Sequence, residues 1–311
     1  MRGRAFAQPA PLLRKAQLVL SSLALRLGEA ARESRADLVY IFREGALLGP
    51  AFAERILSWR GIPFVFDFDD AVWVRYKSPL SGPLSYLRFS GKTATLCGRA
   101  RHVLAGNPYL RDYARRFNPA VTVIPTTIDT ELYRRRPRTA AAVPIVGWSG
   151  SPTTLPYLEL VRGALAQLAR RRAFRVLVVG GSGFEVPGVE VECLPWRADT
   201  EVEDISRFDV GLMPLPEDEW ARGKCGLKAL QYMALRVATV VSPVGVNTEI
   251  VEGGAGLVAR DEDDWVECLD RLLSDQALRE DLGEAGRRRV EERYSAAVVV
   301  PRVAEIFRQA A

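Results

Sequence analysis

The chain has 311 residues, with 43 lysines and arginines against 38 acidic residues, so its net charge is +5. Because acidic residues are interspersed through most of it, this charge does not indicate nucleic-acid binding. Four widely spaced cysteines and a single histidine give no sign of a zinc site or a disulfide framework, and we expect a reducing, cytoplasmic setting.

The first part of the sequence alternates apolar strands with helices. Strands are predicted at residues 38–42, 64–66, 103–105 and 121–124, with helices between them. A basic helix is predicted over residues 12–35. We favour an ordinary packed helix there, although a helix that docks on a membrane surface is the alternative. We expect His102 to begin its strand and to have a structural role.

Three carboxylates, Asp67, Asp69 and Asp70, directly follow the second predicted strand. Like charges this close raise a pKa, so one of them is a candidate proton acceptor or donor. A metal-binding Asp-x-Asp and a solvated helix cap are the alternatives. We favour a site, because packing does not explain three acids after a buried strand.

An arginine-rich run at residues 134–138 marks a linker, after which the pattern restarts. Strands are predicted at residues 144–148, 175–179, 189–194, 209–213 and 237–241. Alternating strands and helices predict parallel sheets with right-handed crossovers, and the restart predicts two of them. Ligands of such sheets lie at the carboxyl ends of strands, so we expect a cleft between the sheets to hold the ligand.

Residues 223–242 are predicted to form a helix followed directly by a buried strand. The core positions of this helix are predicted to be Leu227, Leu230 and Ala234. Lys224, Lys228 and Gln231 recur at i, i+4 and i+7 and therefore share another face. Two ammonium groups and an amide beside a helix N-terminus suit a diphosphate and a ribose. A solvated basic face is the alternative.

A second candidate lies at residues 147–151, where the first strand of the second sheet turns into a helix. The backbone N–H groups of Gly150 and Ser151 are placed to cradle a phosphate. A plain turn between a strand and a helix is the alternative.

Several stretches together resemble the retaining glycosyltransferases of family 4 (glycosyl transferases group 1). They are PFVFDFDDAVW, AGNPYLRDYA, VTVIPTTID, VGWSGSPTTLPYL, FDVGLMPLP and GKCGLKALQYMALRVATVVSPVGVNTEIV. The resemblance implies an α/β GT-B fold of two Rossmann-like lobes with parallel sheets. The lobes would be an acceptor-side lobe at residues 1–137, without its first strands, and a donor-binding lobe at residues 138–311. The last helix is a candidate to pack back on the first lobe.

The resemblance also implies sugar transfer from a nucleotide-diphosphate donor to a glycan or lipid-linked acceptor. We expect no metal and no cofactor, since the nucleotide-sugar is a substrate, and we expect peripheral contact with the inner membrane surface. The family's paired glutamates fall on Gly223 and Gln231, Glu249 matches a glutamate near the donor sugar, and its histidine falls on Asp69. A catalytically degenerate GT-B binding protein and a nucleotide-sugar epimerase are the alternatives.

The expected roles follow from these matches. Lys224, Lys228 and the turn with Gly150 and Ser151 would hold the diphosphate, and Gln231 would hold the ribose. Glu249 would contact the sugar, and Asp69 or Asp70 would orient the acceptor or the leaving group.

Overall fold

A computed structural model describes residues 21, 28, 36–43, 51–74, 91–136 and 143–311. The chain forms two compact units. The first comprises Met1–Ile124 with Arg302–Ala311, and the second comprises Pro125–Pro301. The predicted helix over residues 12–35 lies almost wholly outside the described residues.

The first unit contains a parallel sheet with the strand order β1-β2-β3-β4. Its strands are β1 (Val39–Phe42), β2 (Phe64–Phe68), β3 (His102–Ala105) and β4 (Val121–Val123), and its helices are α1 (Phe52–Trp59), α2 (Lys92–Arg99) and α3 (Pro108–Arg115). The four predicted strands are thus confirmed. His102 begins β3 as expected, and its Nε2 lies 2.9 Å from the Thr122 hydroxyl.

The second unit contains a six-stranded parallel sheet with the order β10-β9-β8-β5-β6-β7. Its strands are β5 (Ile145–Ser149), β6 (Arg175–Val179), β7 (Glu190–Leu194), β8 (Val210–Met213), β9 (Ala238–Val241) and β10 (Leu257–Val258). Five of these were predicted. The two-residue β10 was not, because a run so short has no periodicity to detect. Two parallel α/β sheets confirm the predicted fold class.

Helices cover both faces of the second sheet. They are the 3₁₀ turn Leu155–Leu158 and helices α4 (Glu159–Leu168), α5 (Glu201–Ser206), α6 (Glu219–Arg222), α7 (Leu227–Ala234), α8 (Asn247–Val251), α9 (Glu262–Ser274) and α10 (Gln276–Arg293). Helix α11 (Ala296–Ala310) follows α10, and its residues from Arg302 on belong to the first unit. One apolar layer joins the sheet to α7 and α10, and the other joins it to α4 and α9. Because successive strand residues face opposite sides, the buried runs are apolar throughout.

The predicted helix and buried strand at residues 223–242 are confirmed as α7 and β9, with two corrections. Helix α7 begins at Leu227, because Gly226 caps it in a left-handed conformation with φ of 75°. Lys224 therefore precedes the helix and does not share its face with Lys228. Leu227 was predicted to be buried but is 49% exposed, since it occupies the first helical position.

One buried guanidinium holds residues 130–133 against the rest of the second unit. Arg287 on α10 donates to the backbone oxygens of Thr130, Tyr133 and Ala234 at 2.6 to 3.0 Å. It also pairs with Glu291 at 2.6 Å. Residues 130–133 therefore pack within the second unit, whose first residue is Pro125.

Candidate functional site

Gly150 begins the turn at the carboxyl end of β5. Its N–H donates to the Val179 oxygen at 2.9 Å. A Cβ at this position would lie 2.3 Å from the Trp148 ring and 2.8 Å from the Lys228 Nζ. Because any side chain would clash with both groups, a glycine at this position lets the amine of Lys228 approach the turn.

Lys228, Trp148 and Thr154 form what we call the lysine site. The Lys228 Nζ lies 4.3 Å from the centroid of the Trp148 ring and 3.3 Å from the Thr154 Oγ1. Burial, with a further contribution from the charge of Lys224, lowers the pKa of Lys228 to about 7. No carboxylate of the described residues lies within ion-pair distance of it. Because this amine is buried without a carboxylate partner among those residues, a bound anion would stabilise its charged form.

Ser151 is exposed next to the lysine site. Its N–H donates to the Thr154 Oγ1 at 3.2 Å, and its hydroxyl lies 2.8 Å from that of Thr153. The two N–H groups predicted to cradle a phosphate are thus already used within the protein. The groups that this turn offers to an anion are its hydroxyls.

Lys224 lies in the loop between α6 and α7. Its Nζ is 4.8 Å from the Trp220 ring centroid, and its charge is close enough to lower the pKa of Lys228. The two lysines are therefore neighbours, although they do not share one helical face.

Gln231 is 5% exposed and belongs to a buried polar network. Its Nε2 donates to the Tyr133 hydroxyl at 2.7 Å, and that hydroxyl lies 2.6 Å from the Glu201 Oε2. Burial and the Glu201 carboxylate raise the pKa of Tyr133. Lys228 and Gln231 are three residues apart on α7, so they lie on one face of it.

Glu249 lies apart from this group. It is exposed on the short helix α8, its backbone oxygen accepts from Arg289, and its charge contributes to a raised pKa of Tyr294. Within the described ranges, no hydrogen bond or ion pair joins Glu249 to Lys224, Lys228 or Gln231. The structure thus brings the turn, the two lysines and Gln231 into one region of the second unit, without Glu249.

In the first unit, the carboxylates of Asp69 and Asp70 lie at the carboxyl end of β2 and share one cation. Arg43, which follows β1, donates to both oxygens of Asp69 at 2.5 and 2.7 Å and lies 3.2 Å from Asp70. Arg43 has a φ of 58°, a conformation that non-glycine residues adopt rarely and that clusters at functional sites.

Asp67 differs from its two neighbours because a phenol and not a guanidinium contacts it. The Tyr40 hydroxyl donates to its Oδ2 at 2.5 Å. Burial raises the pKa of Asp67 to about 6. The hydrogen bond from Tyr40 and the charge of Arg43 oppose this shift, and the charge of Asp69 adds to it. Across the ranges that the structure describes, no group of three or more His, Cys, Asp or Glu side chains is placed to hold a metal.

Several residues of these groups were missed from the sequence. Trp148 lies in the VGWSGS stretch, and its position near the end of a predicted strand is the one signal that could have identified it as a site residue. Tyr133 and Glu201 have no local signal, because Tyr133 meets Gln231 and Glu201 across 98 and 68 positions of chain. Arg43 directly follows the predicted first strand, and its partner Asp69 lies three residues after the predicted second strand.

Two α/β units with parallel sheets, the second with a buried amine beside the turn that follows β5, match the GT-B architecture of glycosyltransferases. Comparison with known families agrees with this class. Residues 1–132 match the family described as Glycosyltransferase Family 4, and residues 144–275 match Glycosyl transferases group 1. The chain therefore belongs to the family 4 (group 1) glycosyltransferases. None of the curated protein sequences matches it.

Solved structures share the fold at low sequence identity. A sucrose-phosphate synthase from Thermosynechococcus elongatus has a TM-score of 0.69 at 18% identity, covering 97% of this chain and 80% of that one. A glycosyltransferase from Rickettsia africae has a TM-score of 0.67 at 15% identity, over 97% and 84% of the two chains. HepE from Anabaena, solved with UDP and glucose, has a TM-score of 0.67 at 16% identity, over 96% and 84%.

Proposed function

We propose that the chain transfers a hexose-type sugar from a nucleotide-diphosphate donor to a glycan or lipid-linked acceptor, with retention of configuration and without a metal or cofactor. The family supports sugar transfer, and structural neighbours were solved with UDP and with UDP-glucose. The observation that carries the proposal is the Lys228 amine, which is buried against Trp148 with a lowered pKa.

The second unit would hold the donor. Lys224, Lys228 and the turn at Gly150 and Ser151 would bind the diphosphate, and Gln231 would bind the ribose. As the bond between the anomeric carbon and the phosphate oxygen breaks, negative charge grows on the departing diphosphate. Fixed cations stabilise that charge more strongly than they stabilise the bound donor, which lowers the barrier.

The first unit would handle the acceptor. The acceptor oxygen forms the new bond to the anomeric carbon, and its proton would go to a carboxylate of the first unit or to the departing diphosphate. Asp69 or Asp70 would orient the acceptor or the leaving group. Glu249, which belongs to the second unit, would contact the donor sugar. The pairing of both aspartates with Arg43 fixes the direction of their carboxylates.

Calorimetry of the purified protein with UDP, GDP and ADP tests the donor site. We expect Lys228→Ala to lower the affinity for the tightest-binding of these nucleotides by about 100-fold, because a buried charge-assisted contact is lost. Lys228→Arg, which keeps the charge, should bind more tightly than the alanine variant. Arg172→Ala, an exposed arginine paired with Asp270, is the control and should not change affinity. Unchanged affinity in Lys228→Ala would remove the assignment.

A product assay separates transfer from the other activities of this architecture. Transfer consumes the nucleotide-sugar in proportion to acceptor, an epimerase converts it with no acceptor added, and a binding protein leaves it intact. The part of the chain that the structure describes contains no helix with the length and apolarity to cross a bilayer. Our proposal of peripheral membrane contact is tested by co-sedimentation with anionic lipid vesicles.

A further inference from the structure

Four side chains that are distant in sequence form one hydrogen-bonded chain in the second unit. The Trp196 Nε1 donates to the Glu201 Oε1 at 2.7 Å, and the Tyr133 hydroxyl lies 2.6 Å from the Glu201 Oε2. The Gln231 Nε2 lies 2.7 Å from the Tyr133 hydroxyl. Trp196 follows β7, Glu201 begins α5, and Gln231 lies on α7, so this series of hydrogen bonds joins three parts of the second unit.

The number of available protons fixes the direction of this chain. A carboxylate only accepts hydrogen bonds, so the single proton of the Tyr133 hydroxyl must go to Glu201. Tyr133 then has only a lone pair for Gln231, and the amide must present its NH₂ group to it. The carbonyl oxygen of Gln231 is therefore turned away from Tyr133.

Glu201 is itself held in place. Each of its two oxygens accepts a hydrogen bond from a different donor, and no lysine or arginine among the described residues forms an ion pair with it. Tyr133 is buried and its backbone oxygen is bound by Arg287, so its phenol is held as well. The orientation of the amide is thus built into the second unit before any ligand arrives.

The Gln231 Oε1 has no hydrogen-bond partner within the described part of the chain. It lies on the face of α7 that carries Lys228. We propose that Glu201 and Tyr133 are positioning residues that turn the Gln231 carbonyl oxygen towards a ribose hydroxyl of the donor. This inference rests on the proposed function, in which Gln231 binds the ribose. An amide oriented this way offers a hydroxyl group an acceptor, as the glutamate that the family has here would.

The proposal makes Gln231→Glu, which restores the family's residue, a harmful change. Two carboxylates would then compete for the one proton of Tyr133. Either the new carboxylate has no donor in the described part of the chain, or Glu201 keeps only Trp196. Exchanging the two residues, Glu201→Gln with Gln231→Glu, reverses the chain and satisfies it again. The new amide at position 201 would accept from Trp196 and donate to Tyr133, and Tyr133 would donate to the new carboxylate at position 231.

The experiment compares the wild type, both single variants and the exchanged double variant by thermal denaturation and calorimetry. The ligands are the tightest of UDP, GDP and ADP, its 2′-deoxy and 3′-deoxy forms, and inorganic pyrophosphate. We expect Gln231→Glu to lower the melting temperature and to weaken the nucleotide about tenfold. The double variant should recover both, and pyrophosphate affinity should not change.

The deoxy forms identify the contact. One of them should bind the wild type about tenfold more weakly than the parent nucleotide, and this penalty should be smaller in Gln231→Glu, whose side chain competes with Glu201 for Tyr133. The matched control is Gln276→Glu, an exposed amide that also donates to a carboxylate, Glu280. It should change neither binding nor the melting temperature.

The outcomes separate the two proposals. A wild type that binds none of the three nucleotides refutes the proposed function itself. If the wild type binds but Gln231→Glu binds equally well, or the double variant does not recover, the positioning role is overturned. A recovery of stability without any change in nucleotide binding also overturns it, because the hydrogen-bonded chain would then serve folding alone.

Discussion

The acidic cluster of the first unit (Asp67, Asp69 and Asp70) and the lysine site of the second treat buried charge in opposite ways. Asp69 and Asp70 share the single cation of Arg43, whereas Lys228 has, among the described residues, an aromatic face and a hydroxyl beside it. The acidic cluster therefore has a counter-charge without any ligand. In the lysine site, burial of the amine costs free energy, and a bound anion would reduce that cost. This difference supports our proposal that the second unit binds the anionic donor.

The sharpest test of the acidic cluster is Asp69→Asn. Loss of this charge should lower kcat for sugar transfer by about 100-fold or more, because proton transfer or charge stabilisation at the acceptor is lost. The KM for the donor should stay unchanged, since the donor contacts belong to the second unit.

Asp112→Asn provides the control for that variant. Asp112 is exposed on α3 and bonds to an arginine, Arg111, as Asp69 bonds to Arg43. Its kcat should equal that of the wild type. A donor KM that rises with Asp69→Asn would show that the two units do not divide the substrates as we propose.

The lysine site predicts a pH dependence of donor affinity. Above pH 7 the free amine of Lys228 is neutral, so binding of a diphosphate must take up a proton, and affinity should fall by up to about tenfold per pH unit from about pH 7 to about pH 9. Calorimetry in buffers of different ionisation enthalpy should show proton uptake at about pH 8. Lys228→Arg should bind without this dependence, and a dependence that persists in it would point to another group.

The same pKa has a consequence for stability without ligand. Its folded-state value is about 7 and its ordinary value is 10.5, so the unfolded chain binds more protons between these limits. The contribution of Lys228 to the free energy of unfolding should therefore rise with pH across this window. Lys228→Met should raise stability by about 1 kcal/mol at about pH 7, since it removes the cost of burying the amine. Urea denaturation measures both effects.

The smallest expected effect concerns metal. Because Arg43 occupies both oxygens of Asp69, we expect EDTA to leave the transfer rate unchanged and added Mg²⁺ to give no gain. A rate that depends on a divalent cation would mean that the acidic cluster exchanges its arginine for a metal when substrate binds.

The strands could be predicted from the sequence because parallel strands covered on both faces are continuous apolar runs, as at residues 175–179 and 237–241. The start of α7 could not be predicted. The helical spacing of the sequence extends back to Lys224, and only the left-handed backbone of Gly226 stops the helix from beginning there. The hydrogen-bonded chain at Gln231 could not be predicted either, because tertiary packing alone brings Tyr133 and Glu201 to it.

The position of Arg287 decides where the second unit can be cut from the chain. Its guanidinium fastens residues 130–133, and Tyr133 in turn orients Gln231. A fragment expressed from Pro125 would keep residues 130–133. A fragment that starts at residue 143 would leave the buried Arg287 without two of its acceptors, and the Gln231 amide would be free to rotate. A fragment intended to contain the second unit alone should therefore begin at Pro125 and not at residue 143, directly before β5.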